Sequence, residues 1–196
     1  MRVAQTKVVL SLYNAAWPQR ADALAAELRV ALGPRALRVD HIGSTAVPGM
    51  DAKDVLDLQI SVDDLNVAET DFNEPLRRLG FERRAYNNDH VPAGSNDNPS
   101  VWAKRYWMRR GHNDGDVNLH VRVQGSPNER FALLFRDWMR THPAAIAAYA
   151  AIKRSLAEAV SDVEIYTDLK DPIVDLIIAI AEDWAAAVQW DANQRS

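Results

Sequence analysis

The chain has 196 residues, of which 47% are hydrophobic and 26% charged, and its formal net charge is −4. This composition is typical of a globular protein, and the acidic balance argues against nucleic acid as a partner, since nonspecific binding needs a basic surface. The absence of cysteine excludes disulfides, thiolate zinc sites and cysteine nucleophiles. The apolar run 8–10 is too short for a signal peptide, and no segment is apolar for long enough to span a membrane. We therefore expect a cytoplasmic protein.

The first third of the chain predicts alternating helices and strands. Residues 8–13 predict a short strand or an extended arm. A helix with leucine and alanine at helical spacing begins near Pro18 and ends before Gly33-Pro34. Residues 37–42 and 55–62 predict strands, and the second has two distinct faces because its residue types alternate. Its apolar side is Leu56, Leu58, Ile60 and Val62, and its polar side is Asp57, Gln59 and Ser61.

The middle of the chain predicts the rest of a sheet. A helix over residues 67–79, bent at Pro75 and capped by Gly80, leads to a strand over 81–86. Residues 87–100 are rich in Asn, Asp, Pro and Gly and predict an exposed, mobile loop, which either closes over a pocket or is a plain surface loop. Residues 101–109 and 116–123 predict a hairpin whose turn contains Asn113-Asp114-Gly115.

The strand over 116–123 alternates like the strand over 55–62, with valine and leucine on one side. Two strands with one apolar and one polar face predict a single sheet covered by helices on one side. The polar face of that sheet would bring five side chains together, namely Asp57, Gln59, Asn118, His120 and Arg122.

The last third predicts helices. Ser126-Pro127-Asn128-Glu129 predicts a capping box before one helix, His142-Pro143 separates it from a second helix over 144–160, and Asp162 is a candidate cap. Asp171-Pro172 either starts or bends the last helix, whose predicted buried stripe is Ile173, Leu176, Ile177, Ile180 and Trp184. No linker divides the chain, so we expect one domain over residues 1–196 with its core over about 8–183.

The run His41-Ile42-Gly43-Ser44-Thr45-Ala46-Val47-Pro48-Gly49 is the most informative about function. It predicts a strand, a tight Gly-Ser turn, and then the strand that carries Asp57 beside that turn. Backbone N–H groups at such a turn can hold phosphate oxygens, and a nearby carboxylate can hold a divalent cation. Without further information, the same residues are compatible with a loop in which Gly and Pro only satisfy backbone geometry.

This run, followed by Ala52-Lys53 and Asp57, resembles the signature of the GrpB family, which is similar in fold to the nucleotidyltransferase superfamily. The resemblance extends over about residues 8–183 and implies an α/β (α+β) fold, a nucleotidyltransferase-like mixed sheet with C-terminal helices packed on it. It also implies that Gly43 and Ser44 bind phosphate and that Asp57 binds Mg²⁺. The further similar segments are Tyr13-Asn14-Ala15-Ala16-Trp17-Pro18, Asn118-Leu119-His120-Val121, Phe135-Arg136-Asp137-Trp138 with His142-Pro143, Tyr149-Ala150-Ala151-Ile152-Lys153 and Tyr166-Thr167-Asp168-Leu169-Lys170.

The chain departs from the superfamily at its second acid. An active enzyme usually carries another carboxylate two residues after the first, where this chain has Gln59. The third acid has no obvious match, because Asn118 and His120 occupy the corresponding place on the neighbouring strand. One Mg²⁺ held by Asp57, phosphate oxygens and waters is chemically reasonable, whereas Asp57 alone supports a two-metal site poorly.

Two histidines and several cations surround the predicted turn. His41 and His120 are candidate general bases or phosphate ligands, or else they satisfy backbone groups. The candidate phosphate-binding cations are ordinary surface charges when taken singly, but together they would form an anion-binding pocket in an acidic protein. These cations are Lys53, Lys104, Arg105, Arg122 and Lys170.

The leading hypothesis is a nucleotide- or phosphoester-binding protein for which Mg²⁺-dependent nucleotidyltransferase activity is the candidate reaction. Its partner would be a nucleotide or another phosphorylated small molecule. The alternative, favoured by Gln59, is a noncatalytic sensing or partner-binding module that keeps the pocket. Because GrpB-like domains also occur fused to dephospho-coenzyme A kinases, that module would be linked to coenzyme A metabolism. The pattern predicts no particular oligomeric state.

Overall fold

The protein is described by a computed structural model that covers residues 8–192. A mixed five-stranded sheet lies at its centre in the order β1-β2-β5-β4-β3, with β2 and β5 parallel and the other neighbours antiparallel. The strands are β1 Arg38–Ile42, β2 Val55–Val62, β3 Glu82–Arg84, β4 Lys104–Arg109 and β5 Asp116–Val123. The helices are α1 Ala16–Leu32, α2 Leu65–Arg78, α3 Pro127–Thr141, α4 Pro143–Ala159 and α5 Val163–Ala187. This is the predicted α/β architecture.

One face of the sheet packs against α1 and α2. The alternating residues of β2 and β5 are buried here as predicted, and they pack with the apolar stripes of the two helices. Helix α2 begins earlier than predicted because the carboxylate of Asp64 accepts hydrogen bonds from the N–H groups of Asn66 and Val67, at 2.7 and 3.0 Å. Pro75 lies inside α2, and Gly80 follows the helix at φ +81°.

The other face is partly covered by α3, so the prediction of helices on one side only was wrong. Helices α3 and α5 form a second core with Ile42 and Val47. Gln59 and Ser61 are polar yet fully buried, because the first turn of α3 provides hydrogen-bond partners for both. The polar face of the sheet is therefore covered at one end and open at the other.

The start of α3 differs from the predicted capping box. Ser126 Oγ donates to the carbonyl of Val123 at 2.6 Å instead of accepting from the helix, and the N–H of Glu129 donates to Asn128 Oδ1. The Glu129 carboxylate accepts from the N–H of Gly125, at 2.9 Å. This leaves Glu129 directed towards the sheet.

Helix α5 is continuous from Asp162, which caps it, so Asp171-Pro172 does not start a helix and Pro172 lies inside it. The predicted buried stripe was wrong in part, because Leu176 and Ile180 are 64% and 51% exposed. The buried positions of α5 are instead Tyr166, Ile178, Ala181 and Ala185, and the last three belong to the core that α5 shares with α3.

Among the helices of residues 8–192, none combines the length and the apolar composition needed to cross a membrane.

Candidate functional site

A cleft opens at the uncovered end of the polar face, bounded by the Gly-Ser turn, by α4 and by the first turns of α5. It consists of a cavity of about 690 Å³ and an adjoining cavity of about 470 Å³. Both cavities are lined by Ser44, Asp57, Lys104, His120 and Lys170, so they are parts of one cleft. A cleft of this size accommodates a nucleotide-sized ligand.

The Gly-Ser turn lies directly against Asp57. Pairing of β1 with β2 places Ile42 opposite Asp57, and Gly43 follows with φ +69°. A Cβ atom at Gly43 would lie 2.6 Å from Oδ2 of Asp57, so only glycine lets the turn approach the carboxylate this closely. The predicted juxtaposition of turn and carboxylate is thus present in the structure.

Asp57 is held by neighbours on β5 and β4. Its Oδ1 accepts a 2.7 Å hydrogen bond from Asn118 Nδ2, and Asn118 Oδ1 in turn accepts a 2.7 Å bond from the hydroxyl of Tyr106. Burial alone would raise the pKa of Asp57, but interactions with His120 and Asn118 and the charge of Lys170 outweigh it and lower the pKa to about 2. Asp57 is therefore a fixed negative charge at neutral pH.

His120 is close to Asp57 but is held as a neutral imidazole. Its Nε2 lies 3.8 Å from Asp57 Oδ1, while Nδ1 lies 3.5 Å from Lys104 Nζ and 3.4 Å from Arg122 Nη2. Burial lowers its pKa to about 4, and Lys104 and Arg122 add to this effect. Because Nδ1 faces two donors, we assign the proton to Nε2, which points towards Asp57.

His41 serves the turn more than the cleft. Its Nε2 lies 2.9 Å from Thr45 Oγ1, and it is absent from the lining of both cavities. Burial lowers its pKa to about 4, against an opposing effect of Asp57. The structure therefore places His41 as a support for the Gly-Ser motif.

The covered end of the polar face forms a group of interacting polar residues that we call the sealed network: Gln59, Ser61, Asp89, Arg122 and Glu129. Arg122 Nε donates to Asp89 Oδ2 at 2.8 Å, and Gln59 accepts from Arg122 and donates to the carbonyl of Glu129. Burial alone would raise the pKa of Asp89, but Arg122 and Lys104 lower it far below its usual range. Gln59, which stands where the superfamily resemblance implies a second acid, is fully buried here and does not face the cleft.

The loop over residues 87–100 is mostly exposed, as predicted. Its start is bonded to the sheet through Asp89 and to α5 through His90. Asp89 also accepts from Lys104 Nζ at 2.6 Å and from Asn128 Nδ2 at 2.9 Å, and His90 Nε2 lies 2.7 Å from Asp175 Oδ1. No sequence pattern distinguishes Asp89 from the other acidic and amide residues of the loop.

The predicted phosphate-binding cations separate into three groups. Lys53 and Lys104 line the cleft, and Arg122 reaches it from the sealed network. Arg105 is not in the cleft, because neighbouring strand residues point to opposite faces. It pairs with Glu69 on α2 and donates to Asn66 Oδ1 at 2.8 Å.

Two more lysines line the cleft. Lys170 was among the predicted cations, and it lines both cavities from α5. Lys153 on α4 was not predicted; it is 2% exposed, and its Nζ lies 3.0 Å from Ser44 Oγ. The signal that could have found Lys153 is a repeated Tyr-x-x-x-Lys spacing, Tyr149 to Lys153 and Tyr166 to Lys170, which places both residues of each pair on one helix face.

The side chains of the described residues offer few ligands for a metal ion. Within the described part of the chain, no three His, Asp or Glu side chains are grouped so that they could hold a metal ion. Asp57 is the carboxylate that lies against Gly43, so a cation there would need further oxygen ligands from a bound phosphoester and from water.

Comparison with known proteins agrees with this architecture. A crystal structure of conserved protein GrpB from Enterococcus faecalis is similar with a TM-score of 0.72 over 90% of this chain and 99% of that chain, at 24% identity. This likeness supports the fold.

Sequence relatives fall into two groups. A dephospho-CoA kinase of Mycolicibacterium paratuberculosis is 37% identical over 96% of this chain but 49% of its own length, so the chain spans about half of that relative. A UPF0157 protein of Halalkalibacterium halodurans is 33% identical over 87% of this chain and 80% of its own length. The model of the family described as GrpB protein matches residues 7–179. The chain therefore belongs to the GrpB family.

Proposed function

We propose that the cleft binds a nucleotide or a related phosphoester, with its phosphates beside Gly43, Ser44 and Asp57. The observation that supports this most directly is the close approach of Gly43 to the Asp57 carboxylate in a cleft lined by lysines. A glycine turn gives backbone N–H groups access to phosphate oxygens, and lysines balance the phosphate charge. Asp57, Asn118 and His120 then present polar atoms along the ligand.

The proposed metal is Mg²⁺, bound by Asp57 together with phosphate oxygens of the ligand and water. Bound there, it would neutralise charge on the phosphate oxygens, which is what nucleotidyl transfer requires. Metal-dependent nucleotidyl transfer is accordingly the reaction that we propose for this cleft.

A second candidate is a noncatalytic module that binds its ligand without turnover. The observation favouring it is Gln59, which is neutral and buried in the sealed network at the place of a second acid. Since several relatives carry the name dephospho-CoA kinase, coenzyme A and dephospho-coenzyme A are candidate ligands for such a module.

Calorimetric titration with ATP, GTP, CTP, UTP and coenzyme A, each with and without Mg²⁺, tests the proposal. We expect Mg²⁺-dependent binding that Asp57→Asn weakens at least tenfold, because the substitution removes the negative charge that lies against Gly43. Asp63→Asn is the matched control, since Asp63 is exposed between β2 and α2.

Failure of all five compounds to bind would refute the proposal. If a nucleoside triphosphate binds, release of pyrophosphate in the presence of candidate acceptors decides between the two functions. Release that disappears in Asp57→Asn supports the transferase, and binding without release supports the module.

A further inference from the structure

Lysine and arginine differ greatly in number and position in this chain. It contains 18 arginines but only five lysines. Four of the five lysines, Lys53, Lys104, Lys153 and Lys170, line the larger cavity, and the fifth, Lys7, lies outside the described residues. The arginines are instead spread along the chain, and those of residues 8–192 lie on elements throughout the fold, including α1, α2, α3, β1, β4 and β5. Lysine is therefore concentrated at one place in the molecule.

Three of these lysines lack a negative partner, and we call Lys53, Lys153 and Lys170 the lysine cluster. Among residues 8–192, none of the three forms a salt bridge, whereas Lys104 pairs with Asp89 at 2.6 Å. The contacts of Lys153 are neutral: it donates to Ser44 Oγ at 3.0 Å and to the carbonyl of Asp51. Asp51, the nearest acid on that side, is itself paired with Arg154.

The fold directs the lysine cluster towards the Gly-Ser turn from three separate segments. Lys53 comes from the connection before β2, and its Nζ lies 5.5 Å from the centre of the Tyr166 ring. Lys153 comes from α4, and its Nζ lies 4.8 Å from the centre of the Tyr149 ring. Lys170 comes from α5, one helical turn after Tyr166. The ammonium groups of Lys53 and Lys153 therefore lie over neutral aromatic rings, which attract a cation but are not counterions.

This arrangement is electrostatically unfavourable without a ligand. Burial lowers the pKa of Lys153 to about 7, and repulsion from Lys170 adds to the effect. Burial and then Lys170 also lower the pKa of Lys53. A buried cation without a partner destabilises a protein, so a cluster of this kind indicates that an anion binds there.

We propose that the lysine cluster binds a diphosphate group, the multiply charged end of the ligand, with Ser44 Oγ beside it. This inference rests on the proposed function, because it concerns the same cleft. It adds Lys153 to the site and narrows the ligand class to diphosphates, since three lysines without a salt bridge next to Asp57 match a diphosphate better than a single phosphate monoester. A nucleoside diphosphate or triphosphate and coenzyme A share this diphosphate chemistry.

Inorganic pyrophosphate and orthophosphate are the probes for the test, titrated calorimetrically into wild type, Lys153→Met and Lys170→Met. We expect pyrophosphate to bind at least tenfold more tightly than orthophosphate, and each substitution to weaken pyrophosphate at least tenfold. Arg78→Met is the control, since it removes one exposed positive charge on α2, on the opposite face of the sheet.

Lys170→Met keeps the test decisive if Lys153→Met does not fold, because Lys170 is half-buried and its ammonium has no hydrogen bond among the described residues. Folded variants that bind pyrophosphate as tightly as wild type would overturn the inference. If nucleotide binding still depended on Asp57 in that case, the proposed function would stand without it. If neither pyrophosphate nor any nucleotide bound to wild type, both would fall.

Discussion

The polar side of the sheet contains two regions with opposite electrostatic character. In the sealed network, the buried cation has a matched anion, since Arg122 contacts Asp89 through two of its nitrogens at 2.8 and 3.1 Å. In the lysine cluster, which lines the same cleft, none of the three lysines forms a salt bridge with a residue of the range 8–192. The buried charges of the sealed network are therefore balanced without a ligand, whereas the lysine cluster leaves positive charge that a ligand can balance.

Buried charges with and without a charged partner have different effects on the stability of this protein. A paired charge that also has its hydrogen bonds satisfied contributes to a specific folded structure, and removing one partner is costly. An unpaired charge lowers stability and is useful only when a ligand supplies the counterion. The two regions should therefore respond in opposite ways to the loss of a charged side chain.

The largest effect is expected in the sealed network. Asp89→Asn removes the charge that compensates Arg122 and Lys104, whose side chains are 7% and 11% exposed. We expect the free energy of unfolding to fall by about 3 kcal/mol, measured by urea denaturation. Asp63→Asn, at an exposed position, should change it by less than about 0.5 kcal/mol. Equal effects of the two substitutions would contradict the division into two regions.

The next largest effect is expected at Gly43, where the Gly-Ser turn lies against the Asp57 carboxylate. Gly43→Ala places a methyl group against Asp57 and also requires a positive φ, so we expect a loss of about 2 kcal/mol in stability together with weaker ligand binding. Gly49→Ala is the matched control, since Gly49 has φ +81° but open space around its Cβ position. It should cost about 1 kcal/mol and leave binding unchanged. Indistinguishable binding by the two variants would show that the approach to Asp57 is unimportant.

The smallest effect is a pH dependence of stability in the ligand-free protein. Asp51, Asp57, Lys170 and Arg154 surround Lys153, and its pKa of about 7 lies below the unfolded value of 10.5. The folded state therefore binds fewer protons than the unfolded state above pH 7, and stability increases as the pH rises. We expect a gain of about 1 kcal/mol between pH 7 and pH 8.

Denaturation of Lys153→Met at the same two pH values isolates this contribution, since the other titrating groups are unchanged. The gain should be absent in the variant. A gain of the same size in both proteins would mean that Lys153 is not the group responsible.

Much of the fold followed from local patterns. Alternation along β2 and β5 correctly placed Asp57 and Asn118 on one face, and glycine and proline marked the turn that contacts Asp57. The same alternation could not show that α3 covers Gln59 while Asp57 stays open, because both lie on the same face of one strand. Burial of the polar face depends on a helix far along the chain, since Gln59 and Glu129 are 70 residues apart.

The charged residues of the site also depend on tertiary contacts that a sequence pattern does not show. Arg105 follows Lys104 directly, yet strand geometry sends the two to opposite faces. Lys153 was part of a recognisable motif, but its role depends on α4 lying against the Gly-Ser turn. The loop residue Asp89 had no distinguishing pattern, and only the surrounding Arg122, Lys104 and Asn128 reveal its place.

The contact between Lys153 and Ser44 has a consequence for the order of folding, because it joins residues 109 positions apart. The turn and Asp57 belong to neighbouring strands β1 and β2 and can meet early, whereas Asp57 and Asn118 are 61 positions apart. Closing long loops costs entropy, so distant contacts form late in folding. During synthesis, the Gly-Ser turn, Lys53 and Asp57 would thus come together first, whereas Lys153 and Lys170 would join last, so the full capacity to hold an anion would appear only after α4 and α5 have docked.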